Sequence, residues 1–353
     1  MADKNPTIDI AKGVAIILVV YGHVIQHSMA PGTREFFLNP VFKVIYTFHM
    51  PLFVFISGFL MASSLNRKSV GDVFVARVKS LLLPFMSLVF LGTIITYVLN
   101  RIFGYDIASV NITGSLVDQL FFKPSVWFLF TLFALSGILA YSVKLEKYFG
   151  GVIFAVIYFL LMIIPYNEYC ALYYIKWFYP FYLAGYLFNK YNVKVPGVLI
   201  SAGILPVSLG LFSWLVIYWH TNDYIYINKM NFMSYQYFSE TLRLMYRYIM
   251  GFLGIILVFY LSGYLVRSKA GALLGKIGAY SLDIYIIQMF ILEGIYPRLI
   301  YKVQVHLDLG SPLTLYVAAP LIAMFFVGVC ILSSKLLIRK YRLLNALLLG
   351  GRG

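Results

Sequence analysis

The sequence predicts an all-α, polytopic membrane protein of about ten transmembrane helices with both termini in the cytoplasm. Three observations predict it. Hydrophobic residues make up 61% of the 353-residue chain and charged residues only 12%, a balance foreign to soluble globular domains. The apolar residues gather into ten runs, at about 8–29, 41–62, 81–100, 124–143, 149–166, 171–189, 195–219, 243–265, 272–297 and 313–338. Each is close to the roughly 20 residues that a spanning helix needs. Finally, the basic residues concentrate in alternate loops, as the positive-inside rule requires.

Taken in order, the first run is a membrane helix and not a cleavable leader, because Asp9 and Lys12 interrupt it and no small-residue cleavage site follows. Arg67, Lys68, Arg77 and Lys79 separate the second and third runs and mark an inner loop. The fourth to sixth runs are closely spaced, so the count of ten holds to within one. The longest hydrophilic stretches, about 101–123 and 220–242, are too short to fold as a soluble domain. Residues 1–353 are therefore expected to form a single membrane domain, with helices over about 8–338 and no separate soluble domain.

The formal net charge of +15 raises the question of nucleic acid, and its distribution argues against it. With a cytoplasmic N-terminus, the inner segments hold Lys4, Lys12, the cluster from Arg67 to Lys79, Lys144, Lys147, Lys190, Lys194, Arg267, Lys269, Lys276 and the tail residues Lys335, Arg339, Lys340, Arg342 and Arg352. That is eighteen of the 28 basic residues, so charge here sets topology, and no nucleic-acid partner is expected. Cys170 and Cys330 fall in different apolar regions without metal-ligand spacing and read as apolar filler. No Gly-rich phosphate loop, Cys/His metal cluster or nucleophile elbow is present, and no metal is expected.

The chemistry concentrates near the start. His23 lies deep in the first run, where an ionisable group costs roughly 2–4 kcal/mol on insertion scales and is a functional candidate by default. Lys12 precedes it by eleven residues. On a helix that spacing is about three turns, which brings the two within roughly 20° of one face and about 16 Å apart. A cation at the membrane surface thus lies below a titratable base near the middle, as suits a site that grips a long anionic molecule at one end and reacts with it at the other. His49, in the second run, is expected at a similar depth, roughly 9–12 Å below the outer boundary, so that two histidines face one cavity if the helices are neighbours. His27 lies one turn above His23 and reads as a boundary residue. The inner cluster of Arg67, Lys68, Arg77 and Lys79 serves either as a topological anchor or as a phosphate-binding partner of Lys12.

On the outer side, Trp214 to Glu240 is crowded with Tyr218, Trp219, His220, Tyr224, Tyr226, Tyr235 and Tyr237, an interfacial aromatic belt or a platform for sugar rings. Glu240, Arg243 and Arg247 follow at helical spacing and form either a self-paired face or an acceptor-binding one. From the residues alone a transporter or flippase and a glycan polymerase stay open beside an enzyme acting on a long anionic molecule. No internal repeat of the kind common in transporters relates the two halves.

The opening IDIAKGVAIILVVYGHVIQHS followed by FHMPLFVFISGFL resembles the membrane acyltransferase-3 family, and FVARVKSLLLPF, SVWFLFTLF, YPFYLAGYLF and GKIGAYSLDIYIIQ extend the likeness over nearly all of 8–338. The resemblance implies a ten-helix O-acyltransferase of the bacterial inner membrane, moving an acyl group, most often acetyl from acetyl-CoA, to a glycan or glycolipid hydroxyl. It places catalysis on His23, with His49 beside it, and cofactor binding on Lys12, Arg77 and Lys79. The family most often has Arg at the Lys12 position, so the charge is kept and the bidentate fork lost. Its inner arginine pair is half present, since Arg77 matches and Ser80 holds the second position, next to Lys79. Gln288 stands where many members have histidine; with Trp127 of the SVWFLFTLF motif, Arg243 and Arg247 it completes the candidate acceptor-binding set. The implied partners are acyl-CoA, the acceptor and the lipid bilayer.

Overall fold

The structure is a computed structural model that describes residues 5–28, 35–104, 112–122, 126–164, 169–193, 204–228, 237–303 and 311–351. All regular structure among these residues is helical, with no strand. In chain order the principal helices are α1 (Pro6–Ser28), α2 (Pro40–Leu65), α3 (Val70–Phe103), α4 (Trp127–Phe149), α5 (Val152–Ile163), α6 (Leu172–Lys190), α7 (Ile204–Ile217), α8 (Tyr237–Leu265), α9 (Lys269–Ala279), α10 (Ser281–Ile300) and α11 (Thr314–Ile338).

Six helical segments among the described residues are long and apolar enough to cross a membrane, and a seventh span results if α9 and α10 are counted as one broken span. The chain is an integral membrane protein. Each of the ten apolar runs contains a helix, but three do not reach the length and apolarity of a span. With 12 and 14 residues, α5 and α7 are shorter than the ~20 of a full crossing. With 19 residues α6 is long enough, but its tyrosines and Lys176 dilute its apolarity. The first part of run 195–219 lies outside the described residues, as do Lys4, Lys194, Arg352 and Tyr235.

The ninth run, predicted as one helix over 272–297, is broken. At Tyr280 the backbone leaves helical geometry (φ −101°, ψ 12°), and α9 and α10 meet at a bend of 60°. The reason is the tight crossing of α9 over the start of α1. A Cβ at Gly13 would lie 2.1 Å from the Leu274 carbonyl oxygen, and one at Gly278 would lie 1.9 Å from that of Asp9. Contact that close between backbones needs small residues on both helices, which is how membrane helices associate without a hydrophobic drive between them.

α1 and α2 form the centre. α1 packs against α2, α8, α9, α10 and α11, and α2 against α1, α6 and α8. Of the spanning window of α2, 67% is buried inside the protein, against 28% for α11, which turns most of its apolar surface outward as a lipid-facing helix does. Asn39 starts α2 by accepting hydrogen bonds from the backbone N–H groups of Val41 (3.0 Å) and Phe42 (3.1 Å), with Pro40 at the first helical position.

Candidate active site

Three adjoining cavities run along α1. The first, about 450 Å³, is lined by Asp9, Lys12, Arg67, Lys68 and Arg77. The second, about 210 Å³, shares Lys12, Leu60 and Arg77 with the first and adds Asp283 and Arg339. The third, about 270 Å³, contains His23, His27, His49, Trp127, Tyr226 and Glu293. It meets the second at a collar of Val19, Met50, Phe128 and Tyr285, which line both. A continuous α1 thus carries Lys12 at one end of this path and His23 at the other, as the eleven-residue spacing predicts.

Lys12 is partnered by Asp9 at 2.6 Å, one turn earlier on the same helix. Arg77 has no carboxylate within salt-bridge distance among the described residues; its guanidinium meets the Met61 sulfur at 3.6 Å. A cation without a counter-ion lining two cavities is a ready anion ligand. Arg67 donates from Nε to the Ser63 carbonyl at 3.1 Å. Lys79 is exposed and lines none of the three cavities, because it sits on the π-helical turn Val78–Leu82 of α3 with its backbone against Gly350.

The third cavity gathers the histidines. His23 Nδ1 lies 3.5 Å from Glu293 Oε1, longer than a well-formed hydrogen bond and within ion-pair distance when the imidazole is protonated. The rings of His23 and His27 are stacked, with centroids 5.8 Å apart, so His27 belongs to the cavity and not only to its boundary. His49 Nδ1 contacts the Ile45 carbonyl oxygen at 2.8 Å. A carbonyl only accepts, so Nδ1 carries the proton and the neutral ring keeps its lone pair on Nε2. His23 Nδ1 and His27 Nε2 are buried and make no hydrogen bond among the described residues.

Glu293 is not among the candidates singled out from the sequence. The available signal was a carboxylate inside an apolar run, which is expensive there and so a functional candidate. What that signal lacked was direction. Glu293 lies on the π-helical stretch Met289–Ile295 of α10, whose wider turn is a common local adjustment at functional sites.

The four candidate acceptor residues separate. Trp127 lines the third cavity, stacked on Tyr174 with ring centroids 3.9 Å apart. Gln288 is fully buried, does not line the cavity, and has no hydrogen-bond partner for either amide atom among the described residues. Arg243 pairs with Glu240 at 2.8 Å and with Asp223 at 3.4 Å, the self-paired arrangement. Arg247, 1% exposed, donates to the carbonyls of Asn222, Asp223 and Asn228 at 2.7–3.1 Å. It therefore pins the segment 222–228 on α8, which sets Tyr226 over the cavity, and is not itself at the cavity wall. Cys170 and Cys330 are free thiols, one exposed and one buried.

A family model described as an acyltransferase domain matches residues 5–336. The chain belongs to the membrane acyltransferase-3 family. Among curated relatives of this acyltransferase-3 chain is the nodulation protein NolL of Sinorhizobium fredii (strain NBRC 101917 / NGR234), 34% identical over 201 residues, which are 53% of this chain and 50% of that protein. The nodulation protein NolL of Mesorhizobium japonicum (strain LMG 29417 / CECT 9101 / MAFF 303099) is 44% identical over 84 residues, 24% of this chain and 22% of the relative. The matched part of the chain thus spans half the length of the first relative and less of the second. No solved structure matches.

Proposed function

We propose that this protein is an O-acyltransferase of the bacterial inner membrane that moves an acyl group, acetyl first among the candidates, from acyl-CoA to a hydroxyl of a glycan or glycolipid. In this reading all ten apolar runs cross or enter the bilayer and both termini face the cytoplasm. The observation that carries it is the row of three cavities along α1 that share wall residues, with Lys12 and Arg77 at one end and a histidine–carboxylate pair at the other. Family membership supports the reaction class.

CoA enters at Lys12 and Arg77, its pantetheine arm lies in the second cavity, and the thioester passes the collar to reach His23. The Glu293 carboxylate near Nδ1 favours the tautomer with the proton on Nδ1, which leaves the Nε2 lone pair as the base. Nε2 takes the proton from the acceptor hydroxyl as its oxygen attacks the thioester carbonyl. Collapse of the tetrahedral intermediate expels CoA thiolate, which recovers that proton from the imidazolium. Glu293 offsets the imidazolium charge throughout, and His49 Nε2, left as an acceptor by the Nδ1–H bond to Ile45, orients the acceptor by taking a hydrogen bond from a neighbouring hydroxyl of the same sugar. The open face of Trp127 receives the apolar face of a sugar ring.

The test is transfer of label from radiolabelled acetyl-CoA to glycan in membranes expressing this chain. Labelled glycan above empty-membrane controls is expected. Absence of transfer with acetyl, succinyl and longer acyl-CoA donors alike would sink the reading and favour transport of a lipid-linked sugar. Two variants sharpen it. Glu293→Gln is expected to lower kcat about 10²-fold or more with an unchanged KM for acyl-CoA, since a carboxamide neither offsets the imidazolium nor selects the tautomer. Arg77→Ala is expected to raise the KM for acyl-CoA about tenfold, the worth of one charge-assisted hydrogen bond, with kcat retained. A fall in kcat with KM unchanged would remove Arg77 from donor binding.

A further inference from the structure

Arg339, one residue beyond α11 in a basic tail that topology alone explains, lines the second cavity together with Lys12 and Arg77. Its side chain is fixed on two sides. Nε donates to Asp283 Oδ1 at 2.8 Å and one terminal nitrogen to Oδ2 at 3.1 Å, while the flat face lies over the Tyr280 ring at 4.5 Å. The Ser334 hydroxyl donates to the same carboxylate. Asp283 is buried, so this fork is built into the fold and the guanidinium loses little freedom when it meets a ligand. Its second terminal nitrogen remains outside the Asp283 pair.

The same cavity receives the break between α9 and α10. Gly278, Ala279, Ser281 and Leu282 line it, and no side chain caps the start of α10 at Tyr280. The only acidic group in that first turn is Asp283, committed to Arg339 and Ser334. A helix start without a side-chain cap, whose first residues line a cavity that also holds a fixed guanidinium and Arg77, which has no carboxylate partner among the described residues, is a seat for a phosphate.

We propose that Arg339 and the start of α10 hold the diphosphate of the acyl-CoA donor, which rests on the acyl-CoA reading above. Position selects the diphosphate over the 3′-phosphate. With the thioester at His23, the diphosphate is the first charged group met along the pantetheine arm and falls in the second cavity. The nucleotide 3′-phosphate lies beyond it, in the first cavity, where Arg67 and Lys68 are and Arg339 is not.

The test compares acetyl-CoA, 3′-dephospho-acetyl-CoA and acetyl-pantetheine as donors for the full-length protein in nanodiscs, in the wild type and in Arg339→Lys. Lysine keeps a cation beside Asp283 and loses the fork. The expected result is a KM raised about tenfold for the first two donors by the same factor, with no change for acetyl-pantetheine, which has no phosphate. Arg67→Gln is expected to narrow the difference between acetyl-CoA and its dephospho form instead. An unchanged KM in Arg339→Lys overturns the proposal. So does an effect confined to the donor that carries the 3′-phosphate, and so does an equal effect on acetyl-pantetheine, which marks a merely structural latch. A wild type that uses none of the three donors removes the acyl-CoA reading and this inference with it.

Discussion

Replacing His23 with alanine is expected to lower acyl transfer by about 10²–10⁴-fold, the usual contribution of a positioned general base, in membranes that hold as much variant as wild type. The side chain is 18% exposed toward a cavity and its Nδ1 makes no hydrogen bond among the described residues, so its removal breaks none there and leaves Glu293, 3.5 Å away, lining the same cavity. Stability should therefore change little, and a loss of transfer reports chemistry. Glutamine at the same position fills the space without supplying a base and should be equally inactive. His49→Ala is expected to cost less, about tenfold, since its ring aids the acceptor without taking the proton. The measurement is initial rate of label transfer from acetyl-CoA, normalised to protein in the membrane. Wild-type rates in His23→Ala would take His23 out of catalysis and leave the acyltransferase reading standing.

The second large effect is on folding. At the crossing of α2 and α6 an ideal Cβ on Gly58 would lie 1.9 Å from the Tyr182 carbonyl oxygen, and one on Gly185 would lie 2.0 Å from that of Phe55. The clash is with backbone on both sides, so no side-chain rotation relieves it and the helices must move apart. Gly58→Val or Gly185→Val is expected to cost roughly 3 kcal/mol or more, a large share of a marginal stability of about 5–15 kcal/mol. The crossing also positions Tyr182, whose hydroxyl pairs with Ser136 at 2.9 Å on the wall of the second cavity, so activity should fall with stability. Thermal unfolding of detergent-purified protein, read by monodispersity, checks it. Gly92→Ala and Gly137→Ala, where an added Cβ meets nothing within 4 Å, are the controls and should unfold with the wild type. Equal midpoints for Gly58→Val and the controls would show that α2 and α6 do not cross this closely.

What could be read from the chain alone follows from what repeats along one helix. Each apolar run contains a helix among the described residues, because hydrophobicity over about 20 residues is a local property. The alignment of Lys12 with His23 is equally local, since a single unbroken helix converts spacing into direction. The same reasoning could not tell that Arg247 turns inward to hold carbonyls, that Gln288 is sealed away from the cavity, or that Lys79 faces out, since a side chain's use depends on what stands opposite. Nor could it find the partner of His23: Glu293 is 270 positions away, on a π-helical turn of a helix broken at Tyr280. Arg339 read as a topological cation until α11 brought it beside Asp283. Sequence by itself determined the membrane environment, the helices and the face that carries the cation and the base. Tertiary structure decided which faces converge, because helix crossings are set by small-residue contacts between distant segments, such as Gly13 with Leu274 and Gly58 with Tyr182, that no local pattern encodes.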